Sequence, residues 1–235
     1  TRPDGLVAYL QRHDLEVVPV DNDPALGDKN HDVLIDTFYS DLLRRAQRGE
    51  FLAVWAAPPC STFSVARFRR IAGGPPVVRR RPPDQVARAL DCPAKNRNEV
   101  RTSNELVSRT INILRAAHNA GSEFGIESPA DHGDTHQPEL FVDADHAPLW
   151  VVPEIIALKP DTECATITFP QCAMGAPWPK HTTIMCTPAL GYLLSEHRLL
   201  KYTHSSHAAP AVGIRGSHGS RNSKPAPASQ HRFNP

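Results

Sequence analysis

Cys60 and Glu127 are the residues whose type and setting point most directly to covalent chemistry. Cys60 stands in Phe51–Ser64, FLAVWAAPPCSTFS. Phe51, Leu52, Ala53, Val54 and Trp55 run without alternation, as in a strand buried on both faces of a parallel sheet. Pro58-Pro59 then stops the ladder, because proline has no N–H to donate. Cys60 is therefore expected just past the carboxyl end of a central strand, in the crevice where open α/β sheets place ligands. Ser61, Thr62 and Ser64 add hydroxyls, and Arg67, Arg69, Arg70, Arg79, Arg80 and Arg81 follow. A thiol beside a basic loop fits covalent chemistry on a polyanion. The plainer alternative is a cysteine that only packs. Glu127 closes a second short apolar strand, Glu123–Glu127 (EFGIE), and Ser128-Pro129 follows it. If the two strands are neighbours, thiol and carboxylate converge on one crevice.

The remaining elements follow from periodicity and turn chemistry. Leu6, Tyr9 and Leu10 recur at helical spacing, giving a short helix to about His13. Leu15–Val20 (LEVVPV) reads as a strand closed by Asp21-Asn22-Asp23. A carboxylate at such a tip can hold ribose hydroxyls, although Asp and Asn also favour plain turns. His31–Ile35 reads as a short strand, after which Asp36-Thr37 either caps a helix over Phe38–Arg48 or faces an adenine amino group. Ala66–Arg97 is a long Arg-, Pro- and Gly-rich segment, expected to be a phosphate-contacting lid or a solvated loop. Asn98–Ala120 is the clearest helix, with Val100, Leu106 or Val107, Ile111, Leu114 and His118 along one stripe. Cys164–Phe169 and Thr182–Thr187 read as two strands of a hairpin, and Leu190–Leu200 as a helix.

Composition narrows the class. The 235 residues suit one domain over 1–200, with a tail over 201–235 whose Ser, Pro, His and basic residues predict disorder. Proline, 23 of 235, is about twice its usual ~5% share, so loops are long or numerous. The net charge of +1 excludes nothing, but the basic residues cluster after Cys60 and in the tail. No apolar run approaches the ~18 residues of a membrane span, and no signal peptide is evident. The five cysteines, without C-x-x-C spacing, favour reduced thiols and an intracellular setting, nuclear or cytoplasmic. His132, His136 and His146 are too scattered to predict a metal site, and the His204–His207 pair, which could donate to a zinc, lacks two further ligands nearby.

Three signals stand in order: PPCSTFS at Pro58–Ser64, IESP at Ile126–Pro129, and QCAMG followed by KHT across Gln171–Thr182. Together they resemble the cytosine C5-specific DNA methyltransferases, in particular a divergent branch with PPCSTFS, IE.P and Q-C-x-x-G…K-x-T motifs. The likeness runs from about Asp4 to Thr187. It implies an α/β class I methyltransferase fold, Rossmann-like and mostly parallel, with an antiparallel hairpin at one edge and S-adenosylmethionine as cofactor. Cys60 matches the nucleophile that adds to C6 of cytosine, and Glu127 the carboxyl group bonding the ring's N3 and amino group. Gly5, Leu6, Asp21, Asn22, Asp36, Thr37 and Pro58 match cofactor-binding positions. Ser61, Ser64, Arg67, Arg69, Arg70, Arg79, Arg80, Gln171 and Lys180 are the expected DNA contacts. The target base would flip out of its duplex to reach the pocket. Nearby positive charge from Arg67 and its neighbours would help a thiol of ordinary pKa ~8.5 act as thiolate.

The pattern also departs from that family. Its first strand and most of its F-x-G-x-G cofactor loop would precede Asp4, so that strand is expected to be missing. An Asn-Ala/Gly-Val closing segment is not recognisable after Leu200, and the Q-R-R-x-R pattern has only Gln171 and Lys180 as loose counterparts. Two other classes of function remain open. One is an inactive methyltransferase remnant that binds nucleic acid through Arg67–Arg81. The other is a thiol hydrolase pairing Cys60 with His118 or His181.

Overall fold

The computed structural model describes residues 5–21, 28, 30–68, 74–82, 86, 93–174, 176 and 179–195. The expectations for Asn22, Arg69, Arg70, Cys92, His204, His207 and the tail 201–235 lie outside the described residues.

A 26-residue helix, Ala94–Asn119, is the structural spine. Its apolar residues recur at helical spacing but on two flanks, so it packs in two directions. Val107, Ile111 and Leu114 enter the main core, while Ile113 and Ala117 meet Leu42 and Ala46 of a second helix, Asp36–Gln47. In chain order the helices are α1 (Leu6–Gln11), α2 (Asp36–Gln47), α3 (Ala94–Asn119), α4 (Pro153–Asp161) and α5 (Pro188–Ser195). The strands are β1 (Ala53–Ala56), β2 (Glu123–Pro129), β3 (Ala165–Pro170) and β4 (His181–Cys186).

The strands form one open sheet in the order β1-β2-β4-β3. β1 and β2 are parallel, joined through α3, with Ala53 opposite Glu123 and Ala56 opposite Ile126. β2–β4 and β3–β4 are antiparallel. Side chains alternate across the sheet. Phe124 and Ile126 of β2 and Met185 of β4 enter the main core with α3, α4 and Leu149. Burial of each such side chain is worth roughly 2 kcal/mol. α5 lies over the opposite face, where Gly191 packs near Ala165 and the Cys186 sulfur. Gly125 on that face is level with Trp55, whose ring occupies the space a Cβ would need, only 2.5 Å away. Glycine is thus what lets β1 and β2 pair with Trp55 laid across them.

The mixed α/β class and the edge hairpin match the expectation; the mostly parallel sheet does not. Among the described residues only the β1–β2 pairing is parallel. Leu15–Val20 and His31–Ile35 join no ladder. Pro19 can donate no hydrogen bond, and its carbonyl instead faces His31 Nδ1 at 2.9 Å. Val18 and Val33 pack into the cluster between α2 and α3 rather than beside a strand. β1 is consequently an edge strand with alternating exposure, not one buried on both faces. Trp55 is 41% exposed and Leu52 81%. Among the described residues, no helix is long and apolar enough to cross a membrane.

Candidate active site at the carboxyl end of the parallel strands

Because β1 and β2 are parallel neighbours in register, the segments leaving both emerge at one end of the sheet. Glu127 follows Ile126, the partner of Ala56, and Cys60 lies four residues beyond Ala56. The expected juxtaposition of strand ends is therefore present. The half-buried Cys60 is a free thiol, as are the buried Cys164, Cys172 and Cys186. Burial pushes the Cys186 thiol up to about 11 and raises that of Cys164, which marks both as inert packing groups.

The Cys60 loop is shaped from below by arginines. Phe63 N–H closes a turn on the Cys60 carbonyl at 3.0 Å. Arg67 donates to the Ser61 carbonyl at 2.7 Å, to the Pro76 carbonyl at 3.0 Å and to Glu99 at 2.6 Å, while the Ser61 hydroxyl donates to the same Glu99 oxygen. Arg79 lies deeper, 2% exposed, with its guanidinium 4.1 Å from the Phe63 ring centroid. It donates to the Thr62 hydroxyl at 3.1 Å and to the Val86 carbonyl at 2.6 Å. Burial, with the Arg67 charge, lowers its pKa to about 10 despite the opposing pull of Glu99. The Thr62 hydroxyl also shares a hydrogen bond with Ser103 of α3. Arg67 and Arg79 thus face inward, holding the thiol's loop, and in this arrangement their donors are not directed at solvent.

Arg80 and Arg81 tie this loop to the chain that leaves β2. Arg80 pairs with Asp145, and Arg81 pairs with Asp131 and donates to the His146 carbonyl. Gly133 permits the approach, since a Cβ there would stand 2.9 Å from the Arg81 guanidinium. Burial pushes the Asp131 carboxyl up, but Arg81 and the Gly133 N–H, both donating to it, more than offset this and hold it at about 2. His146, wholly buried, completes the joint. Its Nε2 meets the Phe63 carbonyl at 2.9 Å and its Nδ1 accepts the His132 N–H at 3.1 Å. That donor pattern places the ring proton on Nε2. His132 and His181, stacked edge to face, are both shifted down, chiefly by burial.

Glu127 is held by the hairpin. Thr182 donates to its Oε1 at 3.2 Å, Lys180 Nζ stands 3.5 Å from the same oxygen, and Gln171 Nε2 donates to the Thr182 hydroxyl at 3.0 Å. Gln171 and Lys180, expected as DNA contacts, here stand around the carboxylate. Ser64 accepts the Ala66 N–H at 3.2 Å, a local turn contact.

Among the expected cofactor residues, Gly5 and Leu6 open α1, which buries none of its residues. The half-buried Asp21 ends the extended 15–20 segment, and the half-buried Pro58 follows β1. Asp36 begins α2 but does not cap it: Ile35 holds the N-cap position, and Asp36 accepts from Arg109 at 2.6 Å. Thr37 is exposed. The segments leading to Asp21, Asp36 and Pro58 share one apolar cluster through Val18, Val33 and Val54. Of the proposed hydrolase partners, His118 packs edge-on against Phe124 and His181 against His132; among the described residues neither hydrogen-bonds Cys60.

Sequence reasoning passed over Glu99, Asp131 and Asp145, weighed His146 only as a metal ligand and read Thr182 only as part of a motif. One signal was available: a net charge of +1 requires acids to balance the arginine run, and Asp131–Asp145 is the acid-rich stretch that does so.

No family model, curated protein or solved structure matches the chain.

Proposed function

We propose that this chain is a cytosine C5-specific DNA methyltransferase built on a class I methyltransferase domain. The observation that carries the reading is the pairing of β1 with β2, which sends a free thiol and an anchored carboxylate out of the same end of one sheet. Neither residue alone is diagnostic; their emergence side by side after PPCS and before SP supports the motif assignment.

Cys60 as thiolate adds to C6 of a flipped cytosine, and the C5–C6 π pair moves to C5. The Glu127 carboxyl group accepts a hydrogen bond from the base's exocyclic amino group and shares a proton with N3, which has no hydrogen of its own, so stabilising the charge that the addition places on the ring. When bound, S-adenosylmethionine supplies the methyl group that ends on C5 and departs as the neutral thioether. Loss of the C5 proton to a solvent base then restores the C5=C6 bond and expels the Cys60 sulfur. The donor set fits this cofactor in its chemistry: Asp21 and Asp36 offer carboxylates for ribose hydroxyls and an amino group, from segments packed on the same cluster as β1. Gly5, Leu6, Thr37 and Pro58 complete the group. Of the expected DNA contacts, Arg80 and Lys180 keep 41% and 34% side-chain exposure beside their partners Asp145 and Glu127, and they are the ones assigned to phosphate.

The inactive-remnant reading draws less support, because Arg67 and Arg79 of its binding loop are turned into the protein. The test is transfer of a labelled methyl group from S-adenosylmethionine to duplex DNA of randomised sequence. Label in 5-methylcytosine, lost in Cys60→Ser with cofactor affinity retained, is the expected result. DNA binding without cofactor binding or transfer would favour the remnant.

A further inference from the structure

Glu127 can orient a base only if its own carboxylate is oriented, and the two groups that hold it differ in stiffness. Lys180 is a long, 34%-exposed side chain standing 3.5 Å from Oε1. Thr182 is 2% exposed on the central antiparallel strand β4, opposite Pro129, and therefore on the same sheet face as Glu127. Threonine is stiff about χ1, so its hydroxyl direction is set by the strand. A hydroxyl has one hydrogen and two acceptor positions. Gln171 Nε2 donates into one of them at 3.0 Å, which leaves the hydrogen for Glu127 Oε1 at 3.2 Å. Both anchors take the same oxygen. Among the described residues Oε2 receives no hydrogen bond.

We propose that Thr182 is a positioning residue: its buried hydroxyl, aimed by Gln171, pins Oε1 of Glu127 so that Oε2 is the oxygen offered to the N–H edge of the substrate base. This rests on the proposed role of Glu127 in cytosine methylation. The side chains at 171 and 182 thus form a directed chain of hydrogen bonds from the start of the hairpin turn to the carboxylate. The ladder holds both ends in register, with Phe169 opposite Thr182 and Pro170 opposite His181.

The test is the single-turnover rate of covalent adduct formation by the 235-residue chain, with S-adenosylmethionine and a duplex pool of random sequence carrying 5-fluorocytosine at every cytosine. Thr182→Val keeps the shape and removes the hydroxyl. It should slow adduct formation about tenfold at saturating DNA while DNA affinity stays within about threefold, and Thr182→Ser should recover most of the rate. A Thr182→Val rate equal to wild type overturns the proposal, as does a serine variant no faster than the valine one, because the effect would then be steric. Should the valine variant fail to fold, Gln171→Met, which removes the aiming donor, must still slow the reaction several-fold; an unchanged rate overturns the proposal. A wild-type chain that forms no adduct and transfers no methyl group overturns the methyltransferase reading itself, and this proposal with it. The two failures are thereby distinct.

Discussion

The loop carrying Cys60 and the strand carrying Glu127 reach the same end of the sheet by different physics. The loop has no ladder. Its shape comes from Arg67 and Arg79, which thread guanidinium groups under Cys60–Ser64 and reach the carbonyls of Ser61, Pro76 and Val86. β2 is instead flanked by β1 and β4, and side-chain contacts at Glu127 only finish what backbone pairing has set. The first arrangement is a set of charge-assisted bonds around a buried cation, so losing one member leaves others unsatisfied. The second distributes its energy over many backbone bonds and tolerates local change. Between them sits a joint of Arg80, Arg81, Asp131, Asp145 and His146, which makes the spacing of thiol and carboxylate a property of loop packing as much as of the sheet.

Truncating the buried cation should break the contrast most strongly. Arg79→Ala removes the partner of Thr62 and Val86 and bares the Phe63 ring, and a loss of about 4 kcal/mol in denaturant unfolding is expected. Trapping of 5-fluorocytosine DNA should fall with it, whereas a variant as stable as wild type would show that the loop stands without its cation.

Acid should open the joint next. Asp131 is held at about 2 in the folded state, below an unfolded value near 3.9, so its contribution is present above about pH 4 and is lost as pH falls toward 2. That displacement corresponds to roughly 2–3 kcal/mol. His132 and His181, shifted down chiefly by burial, add an earlier loss as pH falls through about 6.5, because the unfolded histidines take up protons first. Asp131→Asn should flatten the lower step of a stability-against-pH curve and leave the upper one. A lower step of unchanged size would assign it to other carboxylates.

The strand side should give the smallest effect. In Gly125→Ala the new methyl group meets the Trp55 ring, but Trp55 is 41% exposed and can swing away. A cost near the lower end of the overpacking range, about 1 kcal/mol, is expected from thermal or denaturant unfolding. A cost as large as that of Arg79→Ala would erase the distinction between the two regions.

This contrast also separates what was legible in the sequence from what was not. The helix expected over Asn98–Ala120, the strand expected over Glu123–Glu127 and the hairpin announce themselves through local periodicity, and all three are present, the helix starting earlier at Ala94 and the strand running past its expected proline stop to Pro129. β1 looked central because its apolar run has no alternation. Whether a strand is central depends on which neighbours pair with it, and Leu15–Val20 and His31–Ile35 turn to the α2–α3 cluster instead. The arginine run shows the same limit. Phosphate contact and internal bracing call for the same side chain, and what decides between them is the distant Glu99, Val86 carbonyl and Phe63 ring, which chain order does not bring together. Thr182 was visible only as part of a motif; its meaning comes from lying on the Glu127 face.

The most direct test of the account is covalent trapping. The chain is mixed with S-adenosylmethionine and random-sequence duplex DNA bearing 5-fluorocytosine, where fluorine at C5 blocks the final elimination, and the products are run on a denaturing gel. A protein–DNA species that requires the cofactor and vanishes in Cys60→Ala is the predicted result. Labelled 5-methylcytosine formed equally well by Cys60→Ala, or no trapped species and no methyl transfer from the wild-type chain, would contradict it.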